Sequence, residues 1–131
     1  MSKVSIIVPF FNCPYIDYAL KSLMNQTYKN IEIIVVNAGS TIYSEKITTD
    51  LDKIIFIEKG KGGTASALYM GIKIGTGDYF CWLSLDDIFY SEKTDVQLDF
   101  INKNQALFSY TSYYCINENG KLSLLAWVPS A

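Results

Sequence analysis

The sequence contains neither arginine nor histidine: all 11 of its positively charged residues are lysines, in a chain of 131 residues with a net charge of -2. Without histidine there can be no Ser-His-Asp triad, no Cys–His pair and no histidine metal site. Without arginine there is no guanidinium group to bind a phosphate through two parallel hydrogen bonds. The net negative charge also argues against nucleic acid as a partner. A bound anion must therefore be held by lysines, backbone N–H groups or a metal ion.

Cysteines and long apolar runs are scarce as well. The three cysteines, Cys13, Cys81 and Cys115, are far apart and form no CxxC motif, which favours reduced, mostly buried thiols. The first ten residues make a poor signal peptide, and no run approaches the roughly 18 apolar residues of a membrane span. We therefore expect a cytoplasmic protein without a transmembrane segment, and leave open a peripheral position at the membrane.

The chain does have enough apolar material for one core. Half of its residues are hydrophobic and only 18% are charged, below the roughly 25% that is usual in soluble domains. Its length is close to that of a typical single domain. We expect one domain over residues 1–131.

Apolar runs rich in β-branched and aromatic residues recur along the chain, with starts 27, 23, 25 and 27 residues apart, at Val4, Ile31, Ile54, Tyr79 and Ala106. Unbroken runs are typical of parallel strands buried on both faces, and each interval has room for a crossover helix. Helices are predicted over 14–25, 63–74 and 94–104, with a short one over 41–49 and a last strand in 122–128. The pattern indicates a Rossmann-like α/β domain: a mostly parallel sheet flanked by helices.

Helical spacing also predicts which faces are buried. In the first helix the apolar stripe comprises Tyr15, Ile16, Ala19, Leu20, Leu23 and Met24. In the second it comprises Ala65, Leu68, Tyr69 and Ile72.

Ligands of open α/β sheets bind beyond the carboxyl ends of the strands, where this sequence places small and polar residues, at 9–12, 37–40, 58–64 and 84–87. Asp86 and Asp87 are the strongest chemical feature, because adjacent carboxylates repel each other unless a cation or hydrogen-bond donors neutralise them. Such oxygen ligands suit Mg²⁺ or Mn²⁺ shared with phosphates. The alternative is that Asp87 caps a turn and Asp86 is only solvated.

Two other strand-end features can be interpreted from the sequence. The glycine-rich segment 60–64 could bring backbone N–H groups to an anion, or it could be only a flexible turn into the second helix. Asn12 could cap the first helix, and Ser40 or Thr41 the short helix that follows.

Taken in order, these segments resemble the family 2 glycosyltransferases, which have the GT-A fold. The resemblance covers roughly residues 3–121. It rests on VSIIVP at 4–9 followed by Asn12, NQTY at 25–28, EIIVV at 32–36, GST at 39–41, the segment 63–71, TGDY at 76–79 and WLSLDD at 82–87.

The resemblance implies transfer of a sugar from a nucleotide-diphospho-sugar to a hydroxyl of a saccharide or lipid-linked acceptor, with inversion and with Mn²⁺ or Mg²⁺. It implies Asp86 as the metal ligand, Asp87 as its support and Asn37 as a contact to the base. No catalytic base is identified. The implied donor-binding residues are Pro9, Phe10, Asn12, Asn37, Gly63, Ser66, Ser84, Asp86 and Asp87.

The sequence departs from the family pattern at several places, and Ser66 and Tyr69 stand where relatives usually have aspartate and asparagine. Asn37 and Ala38 replace two aspartates, and Ser84 replaces the first aspartate of the D-x-D motif. Family members also continue well past the length of this chain, so we expect it to be the donor-binding front half. A degenerate, non-catalytic binding or assembly module is the alternative, and a nucleotidyltransferase-like protein ranks third. A front half alone would leave the apolar stretch 122–128 exposed, which suggests that this stretch is covered by self-association.

Overall fold

The computed structural model describes residues 1–47, 54–84, 86–117 and 119–126, and the chain forms two compact units, Met1–Asp95 and Val96–Ala131. The first unit contains a parallel sheet and two helices, and the second contains most of a third helix and a β-hairpin. Two packing units are not by themselves two folding domains. The single domain over residues 1–131 therefore stays a prediction.

The elements largely follow the predicted alternation of strand and helix. The first four strands and the three longer helices are confirmed, although the first helix begins after Pro14 rather than at it. The expected short helix over 41–49 is a single 3-10 turn in its described part, and residues 48–49 lie outside that part. In chain order the elements are β1 (Val4–Phe10), α1 (Ile16–Met24), β2 (Ile31–Asn37), the 3-10 turn (Ser44–Lys46), β3 (Ile54–Glu58), α2 (Gly63–Ile74), β4 (Tyr79–Trp82), α3 (Lys93–Asn104), β5 (Tyr113–Ile116) and β6 (Leu122–Ala126).

The main sheet has the strand order β3-β2-β1-β4, and all its pairs are parallel. All of β1 and nearly all of β2 are buried, as predicted. The prediction that every strand is buried on both faces is wrong for β3 and β4, where exposed residues such as Phe56 and Trp82 occur. These two strands lie at the margins of the described sheet, where each has a neighbouring strand on one side only.

The buried face of α2 differs from the predicted one. Ala67 and Gly71 are its buried residues, whereas Tyr69 and Ile72 are 65% and 51% exposed. A Cβ on Gly71 would lie 2.5 Å from Ile7 Cγ2, so the helix backbone approaches β1 closely at this glycine. Because a glycine carries no apolar side chain, hydrophobic periodicity could not reveal this contact face. The predicted face of α1 is confirmed for its inner positions, Ile16, Ala19, Leu20 and Leu23.

The predicted fifth parallel strand, beginning at Ala106, is wrong. Residues Tyr113–Ile116 instead pair antiparallel with Leu122–Ala126 in a separate two-stranded sheet. The connection is a tight turn in which Gly120 adopts φ 80° and donates its N–H to the Asn117 carbonyl at 2.9 Å. A connection this short can join only antiparallel strands, since a parallel crossover needs about a dozen residues or more. Residues 127–128 lie outside the described part, so self-association through 122–128 stays a prediction.

Candidate functional site

The turns that follow β1 and β2 are joined by hydrogen bonds around Asn12. Its backbone N–H donates to Ser40 Oγ at 3.0 Å, and its side-chain Oδ1 accepts the Thr41 N–H at 2.8 Å. Asn12 has φ 44°, a left-handed conformation that asparagine tolerates better than most residues. The expected helix caps are wrong, because no side chain caps α1 or the 3-10 turn. Asn12 instead connects two neighbouring strand ends.

The side chain of Asn37, the last residue of β2, stabilises the turn that follows this strand. It is 4% exposed, its Oδ1 accepts the Ser40 N–H at 2.8 Å, and its Nδ2 donates to Glu58 Oε2 at 3.0 Å. Glu58 was not among the predicted site residues. The signal for it was its place as the last residue of β3, opposite Asn37 in the parallel register. A contact between Asn37 and a base stays a prediction.

An open cleft of about 430 Å³ lies beside the ends of β1 and β4. It brings together four predicted site residues from these two strand ends: Pro9, Asn12, Ser84 and Asp86. Aromatic side chains that were not predicted as site residues complete its walls, and Trp82 among them is 53% exposed. The remaining lining residues are Phe11, Cys13, Pro14, Tyr15 and Thr64.

A second cleft, of about 400 Å³, adjoins the first, because Pro9, Phe11 and Thr64 border both. It adds two predicted residues, Phe10, whose side chain is fully buried, and Gly63 at the start of α2. Its other lining residues are Ala38, Lys61 and Gly62.

Ser66 lines neither cleft but lies just behind the glycine-rich segment. A Cβ on Gly62 would lie 3.2 Å from Ser66 Oγ and 2.6 Å from Lys59 Nζ. The absence of a side chain at Gly62 therefore allows the lysine ammonium and the serine hydroxyl to approach the backbone closely. Close packing therefore explains why position 62 is a glycine, whereas a flexible turn alone would not require one here.

Asp86 and Asp87 occupy a turn directly after β4, and both are exposed. The Asp87 N–H donates to the Ser84 carbonyl at 3.1 Å. Partial burial, and then the negative charge of Asp86, raise the pKa of the Asp87 carboxyl above its ordinary value. Among the described residues, no lysine forms a salt bridge with either carboxylate. Asp86 faces the first cleft, and Asp87 is not among its lining residues.

The residues at this turn fit a metal ion that is shared with a ligand. In the described part of the chain no group of three acidic or cysteine side chains could enclose an ion. The Asp86 carboxylate, with the Ser84 hydroxyl in the same cleft, offers a small oxygen set. Mg²⁺ and Mn²⁺ are commonly bound by one or two carboxylates, with phosphates and waters completing the shell. The two neighbouring carboxylates would also be relieved of mutual repulsion by a cation.

The family model described as glycosyl transferase family 2 matches residues 5–128. The chain belongs to glycosyl transferase family 2. It is 40% identical over 124 residues to an uncharacterized glycosyltransferase of Rickettsia conorii, covering 92% of this chain and 20% of that protein. It is 36% identical over 118 residues to the Escherichia coli enzyme WfaP, a UDP-Glc:alpha-D-GlcNAc-diphosphoundecaprenol beta-1,3-glucosyltransferase, covering 87% of this chain and 47% of WfaP. The chain thus spans about a fifth of the length of the first relative and just under half of the second.

Solved structures of glycosyltransferases share the fold. Staphylococcus aureus TarS, residues 1–349, superposes with a TM-score of 0.69 at 25% identity, covering 79% of this chain and 33% of that one. Mannosyltransferase PcManGT from Pyrobaculum calidifontis, in complex with GDP-Man and Mn²⁺, gives a TM-score of 0.61 at 26% identity, covering 67% and 28%. These likenesses confirm a fold of the GT-A type. Within the described residues, no helix has the length and apolarity needed to span a bilayer.

Proposed function

We propose that the protein binds a nucleotide-diphospho-sugar at the carboxyl ends of β1, β2 and β4 and transfers its sugar to an acceptor hydroxyl, with inversion. The observation that carries the proposal is the position of Asp86. Its carboxylate lines one cleft with Pro9, Asn12 and Ser84, and it has no salt-bridge partner among the described residues. Membership of glycosyl transferase family 2 supports sugar transfer as the chemistry.

The proposed donor site uses the two adjoining clefts. Asp86, with Asp87 beside it, would hold Mn²⁺ or Mg²⁺, which would neutralise negative charge on the leaving diphosphate. A metal is the expected way to do so in a chain without arginine. The Mn²⁺ in the mannosyltransferase complex supports this choice. In this proposal the donor is bordered by Pro9, Phe10, Asn12, Gly63, Ser66 and Ser84, and Asn37 supports the turn beneath it.

The acceptor is proposed to be a saccharide or a lipid-linked saccharide. The name of the Escherichia coli relative specifies a diphosphoundecaprenol-linked acceptor, which supports the second choice. Exposed aromatic rings at the first cleft, from Phe11, Tyr15 and Trp82, offer apolar faces to a sugar ring.

A non-catalytic binding module is the second candidate function. It is favoured by Asn37, whose amide is already bonded to Ser40 and Glu58, and by the buried Ala38 beside it. Neither residue supplies the carboxylate of the family pattern. In this alternative the chain binds a donor or a partner protein without transferring sugar.

Calorimetric titration with UDP-, GDP- and dTDP-sugars in the presence of Mn²⁺ tests the proposal. At least one donor should bind, and Asp86→Asn should weaken it by more than about tenfold because the metal loses its carboxylate. Asp99→Asn is the matched control, since this exposed carboxylate on α3 forms a salt bridge with Lys103 at 2.9 Å and lines neither cleft. If no donor binds, the proposal is wrong. If a donor binds but no saccharide acceptor leads to release of the nucleoside diphosphate, the binding module is favoured.

A further inference from the structure

The side chain of Gln26, just after α1, is fully buried and makes four hydrogen bonds. Its Oε1 accepts the backbone N–H of Thr94 at 3.1 Å and the Thr94 hydroxyl at 2.8 Å. Its Nε2 donates to the carbonyls of Ser22 at 3.2 Å and Tyr90 at 2.7 Å. A carboxamide has two acceptor and two donor positions, so its whole capacity is used. Three of the four bonds hold the segment that follows Asp86 and Asp87.

Two neighbours of Gln26 bind the same segment. Ser22 Oγ accepts the Phe89 N–H at 3.2 Å, and the Thr27 N–H donates to the Ser91 carbonyl at 2.8 Å. The Thr27 hydroxyl also bonds to the Asp95 carboxylate. We call Ser22, Gln26 and Thr27 the α1 clamp. Together these residues fix the backbone of 89–94 to the end of α1.

The two aspartates lie between this clamp and β4. On the strand side, the Leu83 N–H donates to the Ile7 carbonyl at 3.1 Å, and the Leu83 side chain is 1% exposed. On the other side, the first clamped residue is Phe89, only two positions after Asp87. Asp86 and Asp87 are therefore exposed residues between two segments whose backbones are held by hydrogen bonds. Loss of the bonds on one side would let the turn move while leaving the sheet intact.

We propose that Gln26 is a positioning residue: by fixing 89–94 on α1, it holds Asp86 and Asp87 where the metal and diphosphate of the donor bind. No residue of the α1 clamp lines either cleft, so Gln26 acts only through the turn. The inference rests on the proposed function, since it concerns the same site. It also gives the NQTY segment of the sequence a role in that site.

The test compares Gln26→Met, which keeps the length of the side chain and removes every hydrogen bond, with the natural chain. Binding of UDP and of GDP is measured by calorimetry, once with Mn²⁺ and once with EDTA. Electron paramagnetic resonance of free Mn²⁺ gives the metal affinity at saturating nucleotide. Gln26→Met should weaken the Mn²⁺-dependent binding about 10- to 100-fold, the range usual for groups that orient metal ligands. Binding in EDTA should be unchanged.

Ser5→Ala is the control for a loss of stability without a loss of position. Ser5 is buried at the opposite, amino-terminal end of β1 and bonds to Glu32 at 2.5 Å and to the Gly77 N–H at 2.8 Å. Ser5→Ala should lower the melting temperature and leave the nucleotide affinity with Mn²⁺ and the nucleotide affinity in EDTA unchanged. If Gln26→Met does not fold, Thr94→Val removes one hydroxyl bond to Gln26 and Thr94→Ser retains it. The first should weaken Mn²⁺-dependent binding, and the second should not.

The possible failures are distinguishable. If the natural chain binds neither nucleotide with Mn²⁺, the proposed function fails, and this inference fails with it. If the natural chain binds and the folded Gln26→Met binds equally well, only the role of Gln26 is overturned. An equal loss with Mn²⁺ and with EDTA would also overturn it, because it would show a general structural effect.

Discussion

Glu32 is a buried acid at the amino end of β2, whereas the clefts lie at the carboxyl ends of the strands. Its carboxylate accepts hydrogen bonds from the Ser5 hydroxyl at 2.5 Å and the Thr76 N–H at 2.6 Å, and pairs with Lys3 Nζ at 3.3 Å. Burial alone would raise the pKa of Glu32, but these donors and the lysine charge outweigh it and hold the pKa below its ordinary value of 4.5. The charged carboxylate therefore stabilises the fold at this end of the sheet.

This stabilisation should depend on pH. Because the pKa of Glu32 is lowered by folding, its contribution is complete above pH 4.5 and disappears as the pH falls through the lower, folded value. Glu32→Gln should reduce the free energy of unfolding at neutral pH by about 1–3 kcal/mol. The difference from the natural chain should shrink in acid, as measured by urea unfolding down to about pH 3. Glu92→Gln, at an exposed glutamate, is the control. A difference that stays constant with pH would contradict the assignment.

Single residues of the site were predictable to different degrees. The meeting of Pro9, Asn12, Ser84 and Asp86 in one cleft follows from the topology, because the carboxyl ends of parallel strands lie on one side of a sheet. The hydrogen bonds of Asn12 and Asn37 were not predictable. Except for the local bond between Asn37 and Ser40, they join strand ends that are distant in sequence, and their partners depend on how the strand ends are aligned.

At the scale of elements, the contact of α2 with β1 depends on one missing side chain. Gly71→Ala would place a Cβ 2.5 Å from Ile7 Cγ2, and Ile7 is 1% exposed and cannot move away. Overpacking of this kind costs about 1–3 kcal/mol, which should exceed the gain of up to about 1 kcal/mol from the higher helix propensity of alanine. We expect a net loss of stability in urea unfolding. A variant as stable as the natural chain would show that α2 can shift at no cost.

A double variant identifies the cause of that loss. Ile7→Ala removes the atoms that a Cβ at Gly71 would meet, so the cost of Gly71→Ala should be smaller in an Ile7→Ala background. Ile72→Ala on the exposed face of α2 is the control and should change stability by less than about 0.5 kcal/mol. Additive effects of the two substitutions would contradict direct overpacking.

Predictions of elements failed where two signals in the sequence disagreed. The regular spacing of apolar runs predicted a parallel strand from Ala106, although the sequence at 117–120, which is typical of a turn, separates that run from the last predicted strand by only a few residues. The turn prevailed, since a connection this short between β5 and β6 permits only antiparallel pairing. The same turn chemistry explains why the last predicted strand was found in its described part.

At the scale of the whole molecule, the two compact units should differ in local stability. The sheet of the first unit is centred on β1 and β2, whose residues are almost all buried. The second unit contains a two-stranded sheet, a structure that is marginal in water by itself. In β5, Tyr113 and Tyr114 are 58% and 49% exposed, so few apolar contacts support its backbone hydrogen bonds.

Hydrogen exchange followed by mass spectrometry in increasing urea can measure this difference. Amides of β1 and β2 should exchange only through global unfolding, with a strong dependence on urea, whereas those of Tyr113–Ile116 should exchange faster through a smaller opening with a weak dependence. Ile72→Ala, a substitution on an exposed face of the first unit, should not alter the exchange of β5. If β5 exchanges at the rate of β1 at every urea concentration, residues 1–131 open as one cooperative unit. That outcome would support the single domain predicted from the length of the chain, and would contradict the separate stability argued from the hairpin.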